Sequence, residues 1–304
     1  MIENFNIVIQ QSNLTVMTRY EEHTKDSQRY QSEAALEEGF IRQLVAQGYE
    51  RLAIDNEQGL IENLRVQLEK LNGIRLSDAE WKRLFTQEIA NENLNIEDKT
   101  ERIQRDPIVN ILLDNGETKN IRLIDKRNIF NNSVQVLNQY TPTGGTAKNR
   151  YDVTILVNGL PLVVIELKSP TREETDEEDA YLQIKQYQQK CPTLFVYNAF
   201  SVTSDMLTSK AGTITSKANR YMDWKSTDGV NVTNEAIHYD TFFQGIFEKR
   251  RLIDILQNFV CFDHKDGRVV KIMGAYHQYF AVNKALRNTD AAIAGDGKIG
   301  VFWH

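Results

Sequence analysis

The stretch Arg150-Tyr-Asp-Val-Thr-Ile-Leu-Val-Asn-Gly-Leu-Pro-Leu-Val-Val-Ile-Glu-Leu-Lys168 decides the fold. Two apolar runs of strand length flank Asn158-Gly159, the strongest short signal for a β-hairpin. Each run carries charge where a buried strand has no use for it. Asp152 stands near the start of the first, and Glu166 and Lys168 stand at the end of the second. Charges set into Leu-Val-Val-Ile need partners or a metal. Two carboxylates converging on one point make a hard oxygen site suited to Mg²⁺. A lysine two positions beyond the second carboxylate lies on the same strand face, where it can position or help deprotonate an attacking water. These are the parts needed to hydrolyse a phosphodiester.

The parity of the hairpin sets a condition on that site. With a plain two-residue turn at Asn158-Gly159, Asp152 faces Ile165 and points away from Glu166. A three-residue loop, Val157-Asn158-Gly159 with Gly159 in the left-handed region, puts Asp152 on the face of Val164, Glu166 and Lys168. The site therefore requires an odd-length loop or a bulge.

Around the hairpin the pattern alternates helix and strand. Residues 32–48 form an amphipathic helix with Ala35, Leu36, Phe40, Ile41, Leu44 and Val45 on one side and Gly48 at its end. Residues 58–71 and 77–91 give two more, the second opened by a Ser77–Glu80 capping box. Ile108–Leu113 and Thr118–Ile124 flank Asp114-Asn-Gly116 as a hairpin. Asn131–Tyr140 is a further strand, and the loop Thr141–Thr146 leads into the charged hairpin. Beyond Lys168 an acidic run, Thr171–Asp179, enters a helix at Ala180–Lys190. Thr193–Ala199 follows as a buried strand, then an irregular stretch, Asp205–Val230. Thr241–Phe259 is helical, Asp263–Arg268 a linker, and Val269–Leu286 opens a helix-rich element. The expected fold is α/β, a mixed sheet flanked by helices.

Composition narrows the function classes. A net charge of −6 argues against a surface that coats nucleic acid throughout, but not against carboxylates gathered round a metal beside a local basic cleft. Candidates for that cleft are Lys119, Arg122, Lys126, Arg127, Lys148 and Arg150. Tyr221, Trp224 and Lys225 offer base stacking, although aromatic residues more often pack in a core. Cys191 and Cys261 form no metal-ligand pattern, and a reduced, cytoplasmic setting is expected. The N-terminus lacks the features of a signal peptide, and no apolar run reaches membrane-spanning length.

An acidic-x-Lys triplet alone carries little, and Glu97-Asp98-Lys99 and Asp263-His264-Lys265 are decoys without an upstream strand Asp. Asp152…Glu166-Leu167-Lys168 has that partner, and downstream Gln183 and Tyr187 stand four apart on one helix face. The whole pattern resembles the PD-(D/E)xK nuclease superfamily in its RecB-like branch, which adds a Gln-x-x-x-Tyr helix. The resemblance implies a restriction-endonuclease-like core in which Asp152, Glu166 and the Leu167 carbonyl hold Mg²⁺. It implies that Lys168 assists the attacking water and that Gln183 and Tyr187 position the lysine side or a phosphate. An earlier helix supplies another acid in such enzymes. Glu37 is taken for that role, with Glu38 as the alternative.

Lys271-Ile-Met-Gly-Ala-Tyr-His-Gln-Tyr-Phe-Ala-Val-Asn-Lys-Ala-Leu286 and Gly300-Val-Phe-Trp-His304 resemble the entry to the helicase-like motor of type I restriction enzyme R subunits. There Gln278 matches the glutamine that reads adenine. No G-x-x-x-x-G-K-[ST] loop is present, so the resemblance implies an endonuclease domain over 1–260 and a linker with the start of a motor over 261–304, truncated before the ATP-binding loop. The expectation is a Mg²⁺-dependent endonuclease domain without sequence specificity of its own. It would act on double-stranded DNA beside methylation and specificity subunits, with ATP needed by the full-length protein. The alternatives are a catalytically silent DNA-binding or assembly module with a nuclease fold, and a stand-alone repair nuclease.

Overall fold

A computed structural model describes residues 5–11, 14–19, 25–140, 151–168, 177–190, 195–204, 208–234, 239–265 and 267–301, with side chains from residue 35 onward save those of Leu36, Glu177, Glu178 and Lys265. In chain order, β1 (Phe5–Gln11) and β2 (Leu14–Arg19) pair antiparallel, followed by α1 (Lys25–Ala46), β3 (Glu50–Leu52), α2 (Glu57–Asn72) and α3 (Asp78–Arg83). Next come α4 (Ile96–Gln104), the antiparallel pair β4 (Ile108–Leu112) and β5 (Thr118–Arg122), and β6 (Val134–Tyr140). The charged hairpin is β7 (Tyr151–Val157) and β8 (Leu160–Leu167); α5 (Glu177–Lys190), β9 (Phe200–Ser204) and β10 (Ser209–Gly212) come after it. Helices Tyr239–Ile246 and Lys249–Asn258, the hairpin of β11 (Val260–Lys265) and β12 (Arg268–Met273), and a helix over Tyr276–Ile293 complete the order.

The central sheet runs β10-β9-β8-β7-β6-β3. Its β8–β9 and β6–β3 pairs are parallel and the others antiparallel, so the sheet is mixed. One face buries Val153, Ile155, Val163 and Ile165 in a cluster with Phe40, Ile41 and Leu44 of α1. A second cluster gathers Leu156, Val164, Leu137, Tyr140 and Tyr151 with Ile184 and Tyr187 of α5. Each aliphatic side chain so buried stabilises the fold by roughly 1.5–3 kcal/mol. With both faces covered, the strands read as continuous apolar runs rather than alternating ones. Of the apolar stripe expected on α1, Ala35 and Val45 are exposed, and the Leu36 side chain lies outside the described residues.

Local signals set most helix ends. Gly48 stands in the left-handed region at φ +90° just past α1. Ser77 and Glu80 form the reciprocal capping box that opens α3. A π-helical turn over Leu84–Ile89 continues it. Three expectations need correction. The strand placed at Thr193–Ala199 begins instead at Phe200, because Val163, Val164 and Ile165 of β8 offer their edge to Phe200, Ser201 and Val202. The irregular stretch contains a short strand, β10. Asp263–Arg268 is not a linker: Val260 pairs with Met273 and Asp263 with Val270 in a regular ladder. The loop Thr141–Thr146 lies outside the described residues.

Candidate active site

The hairpin meets its parity condition by a route other than the expected three-residue loop. Val157 pairs with Leu160, so Asn158-Gly159 is a two-residue turn, with φ +50° and +83° at its two positions. These positive angles are those of a type I′ turn, which suits the twist of paired strands. Asn158 is locked there: its amide donates to Leu123 O at 2.9 Å and to Asn132 Oδ1 at 2.8 Å, and its Oδ1 accepts from Ser133 N at 2.8 Å. The shift comes one step later. Leu156 pairs with Pro161 but Ile155 pairs with Val163, which leaves Leu162 as the extra residue of a bulge. Pro161 has no N–H for the ladder, and proline in sheets is confined to edges, strand starts and such bulges. Because strand side chains alternate, one inserted residue flips every later one to the opposite face. Thr154 now pairs with Val164 and Val153 with Ile165, which sets Asp152 level with Glu166 on the α5 face.

The expected residues from both strands and from α5 meet at this end of the sheet. Asp152 Oδ2 accepts from the Leu167 backbone N–H at 2.8 Å, across the two strands. Glu166 is fully buried, with 0% exposure. Lys168, its side chain 12% exposed, donates from Nζ to Glu166 Oε1 and, at 2.6 Å, to Gln183 Oε1. The Gln183 amide in turn donates to the Tyr187 hydroxyl. The four-residue spacing on α5 thus becomes a physical chain from ammonium to amide to phenol. Glu166 Oε2 is buried, and the Tyr187 hydroxyl bears on the same carboxyl.

Burial pushes the Glu166 carboxyl well above the usual carboxylate range; the nearby Asp152 charge adds to this, and Lys168 opposes both. Burial likewise raises the Tyr187 hydroxyl, with the Glu166 charge adding to the rise. The pocket therefore disfavours two full negative charges side by side. Carboxyls perturbed in this way cluster at functional sites. A buried carboxylate beside a second carboxylate is also the kind of oxygen donor set a divalent cation takes, so the residues present fit such an ion. Among the described residues no group of three or more His, Cys, Asp and Glu side chains has metal-site geometry.

Glu37 lies on α1, 7% exposed, and accepts from the side-chain amides of Asn138 at 2.6 Å and Gln139 at 3.2 Å. Glu38 turns outward and pairs with Arg51 at 2.8 Å. The amides on Asn138 and Gln139 escaped notice in the sequence; the signal available was a polar pair ending a strand of Val134, Val136 and Leu137. Gln278 is apart from these groups. Its Oε1 accepts from the Ala275 backbone N–H at 2.9 Å and caps the helix Tyr276–Ile293.

Among the described residues, three of the basic candidates have separate surroundings. Arg122 pairs with Asp125 at 3.1 Å, and Lys126 reaches Arg105 O at 3.3 Å. Arg127 instead lines a hollow of about 630 Å³ with Phe130, Arg250, Arg251 and Arg287, none of them in the Asp152–Glu166 group. Lys148 and Arg150 lie outside the described residues. Tyr221 and Trp224 are core residues: Trp224 packs against Tyr276, Tyr279 and Phe280.

Comparison with known proteins adds an independent line. A family model described as the type I restriction enzyme R protein N terminus matches residues 30–220, a span that holds every residue from Glu37 to Tyr187 named above. The type I restriction enzyme EcoprrI endonuclease subunit of Escherichia coli is 33% identical over 280 residues, 89% of this chain and 87% of that protein. The HindI endonuclease subunit of Haemophilus influenzae is 36% identical over 200 residues, 62% of this chain and 19% of that protein. For the SsaAORF53P endonuclease subunit of Staphylococcus saprophyticus the identity is 36% over 217 residues, 68% of this chain and 22% of that protein. The chain thus spans most of the first relative and about a fifth of the other two.

Proposed function

This chain belongs to the type I restriction enzyme R protein N-terminal family, and on that premise we propose that it is a Mg²⁺-dependent DNA endonuclease domain with a PD-(D/E)xK core. One observation carries the proposal: Asp152, Glu166 and Lys168 converge at one sheet end, and Gln183 and Tyr187 continue the chain. Asp152, Glu166 and the Leu167 carbonyl would hold the cation, with Glu37 beside them. When bound, the cation supplies Lewis acidity, polarising a phosphoryl oxygen and making water easier to deprotonate.

The remaining work falls to the side chains. An ammonium has three donors. Lys168 uses one on Glu166 and one on Gln183, which leaves the third for the attacking water or a phosphoryl oxygen. There it orients the water and stabilises charge developing on the phosphate. Gln183 fixes the rotamer of that ammonium through its carbonyl, and Tyr187 fixes Gln183 through its amide. Burial of Glu166 keeps bulk water from screening these charges.

The wider assembly is part of the proposal. Double-stranded DNA is the substrate, cut without sequence preference by this domain, while specificity and methylation subunits supply recognition and modification. Residues 1–260 form the nuclease domain, and residues 261–304 open toward an ATP-driven motor. In that motor Gln278 would read adenine, its amide group matching the donor and acceptor edge of the base. No helix among the described residues is long and apolar enough to cross a membrane, and the protein is proposed to act in the cytoplasm.

The test is DNA cleavage by the assembled enzyme carrying Asp152→Ala or Lys168→Ala. Asp152→Ala is expected to abolish cleavage and Lys168→Ala to lower its rate by roughly 10²–10³-fold, while the thermal unfolding profile stays intact in both. Normal cleavage by the Lys168→Ala enzyme would remove that lysine from the mechanism. Cleavage retained in both, with no Mn²⁺ binding, would favour a silent module with a nuclease fold.

A further inference from the structure

Consecutive side chains on a strand point to opposite faces of the sheet. On β6, Val134 and Val136 accordingly join the α1 cluster and Leu137 the α5 cluster. Asn138 obeys the rule and reaches Glu37 on α1. Gln139 breaks it, because its amide reaches the other oxygen of the same carboxylate. The break has a visible cause. Gln139 has φ +56°, a left-handed conformation that residues with a long side chain seldom adopt. The kink also resets the facing of the next residue, since Tyr140 would join the α1 face in an unbroken strand but lies in the α5 cluster and stacks on Tyr151.

The place of the kink bears on the site. Asn138 pairs with Val153 and Tyr140 with Tyr151, so Gln139 lies opposite Asp152 in the ladder. Backbone strain of this kind persists only where the surroundings enforce it, and it clusters at functional sites. The chemistry of the grip is equally informative. Glu37 is buried, yet its partners are two neutral amides, and no lysine, arginine or histidine among the described residues pairs with it. A buried carboxylate with a purely structural role is ordinarily matched by a cation. Its neighbour Glu38 has one, the bidentate Arg51 guanidinium. Two amides hold Glu37 in place while leaving part of each oxygen's accepting capacity open.

We propose that Gln139 is a positioning residue for the cleavage reaction: its left-handed backbone brings two successive strand amides onto Glu37 and holds that carboxylate at the sheet end that carries Asp152. The inference rests on the nuclease reading, in which a divalent cation is held at that end. Gln139 does not touch the reacting atoms; it acts through Glu37.

The experiment is Mn²⁺ titration of the chain by isothermal calorimetry, without DNA, for wild type, Gln139→Gly, Glu37→Gln, the double variant and Asp152→Asn. Glycine accepts the positive φ, so Gln139→Gly removes the amide while preserving the kink, and its unfolding temperature in EDTA is expected to match wild type. Its Mn²⁺ dissociation constant is expected to rise roughly 10-fold, the scale typical of residues that orient ligands. In the Glu37→Gln background the same change should add nothing, because the residue it acts through is already lost. Gln139→Asn, which tolerates the left-handed backbone and keeps an amide, should recover part of the affinity. An unchanged dissociation constant in Gln139→Gly, alongside lost binding in Asp152→Asn, overturns the proposal and leaves the nuclease reading standing. So does a shift that persists in full when Glu37 is already glutamine. Undiminished binding in Asp152→Asn overturns the nuclease reading and this inference with it.

Discussion

Glu166-Leu167-Lys168 and Glu97-Asp98-Lys99 spell the same acidic-x-Lys pattern, and the fold treats them in opposite ways. The first lies on and just beyond β8, where positions two apart share a face, so the Glu166 carboxylate and the Lys168 ammonium meet. The second lies on α4, where positions two apart do not face each other. Its members accordingly go separate ways. Asp98 closes the capping box with Asn95, Glu97 reaches His264 at 3.0 Å, and Lys99 tucks inward over the Tyr197 ring. Lys99 is only 4% exposed, so burial by itself does not set Lys168, the lysine proposed to act in cleavage, apart. What separates the two triplets is backbone periodicity together with a second carboxylate delivered by a neighbouring strand.

That contrast can be broken most forcefully by paired substitution. Lys168→Ala should lower the cleavage rate of the assembled enzyme by roughly 10²–10³-fold, the range for loss of one charge-stabilising donor. Lys99→Ala should leave the rate within about twofold, since its lysine meets no carboxylate of the site. Equal losses in the two variants would mean that periodicity is not what distinguishes them.

Lys271 extends the contrast to an ammonium with no acid partner among the described residues. It is buried on β12 against Thr100 Oγ1, at 3.2 Å, and the Asn198 carbonyl, and burial holds its pKa down at about 7. The unfolded chain keeps the ordinary lysine value of 10.5. Between those values the unfolded state binds the extra proton, so stability rises with pH, and this contribution is lost as pH falls through about 7. The group should add a slope of up to roughly 1.4 kcal/mol per pH unit to the unfolding free energy. Denaturant unfolding from pH 7 to 9 should show that slope in wild type and a flatter line in Lys271→Met; identical slopes would mean the ammonium stays charged in the fold.

Smaller effects sharpen the two triplets individually. Gln183→Ala frees the Lys168 ammonium to turn and should cost about 10-fold in cleavage rate, near the lower end for a supporting group. A normal rate there would show that the contact between Lys168 and Gln183 does not orient the lysine. Asn95→Ala removes the cap that gives the other triplet its structural role. It should lower stability by about 1 kcal/mol and leave cleavage alone, which chemical denaturation and a cleavage assay would check together.

Much of the site was legible because its chemistry interrupts strong local patterns. Asp152, Glu166 and Lys168 stand out against apolar strands, and Gln183 and Tyr187 share a helix face by spacing alone. The hairpin's parity was legible as a requirement but not as a mechanism. The Asn158-Gly159 turn is the commonest kind, and the needed residue enters at Leu162, after a proline that cannot serve the ladder. Less legible was anything that depends on strand pairing. Phe200–Ser204 reads no more strongly than Thr193–Ala199, and only the β8 edge selects it. Likewise Val260–Met273 becomes a hairpin because its two halves pair, although Asp263–Arg268 taken alone looks like a connector. The grip on Glu37 was hidden for a similar reason, since a left-handed glutamine within a strand leaves no mark in the sequence.

The sharing of one divalent ion by Asp152 and Glu166 is the claim on which the rest depends, and a crystal of the chain soaked in Mn²⁺ addresses it directly. An anomalous scattering peak is expected within coordination distance of an Asp152 carboxylate oxygen and of Glu166 Oε2, lost in crystals of Glu166→Gln. A saturating soak that places manganese elsewhere, or that leaves this peak unchanged in the variant, would contradict it.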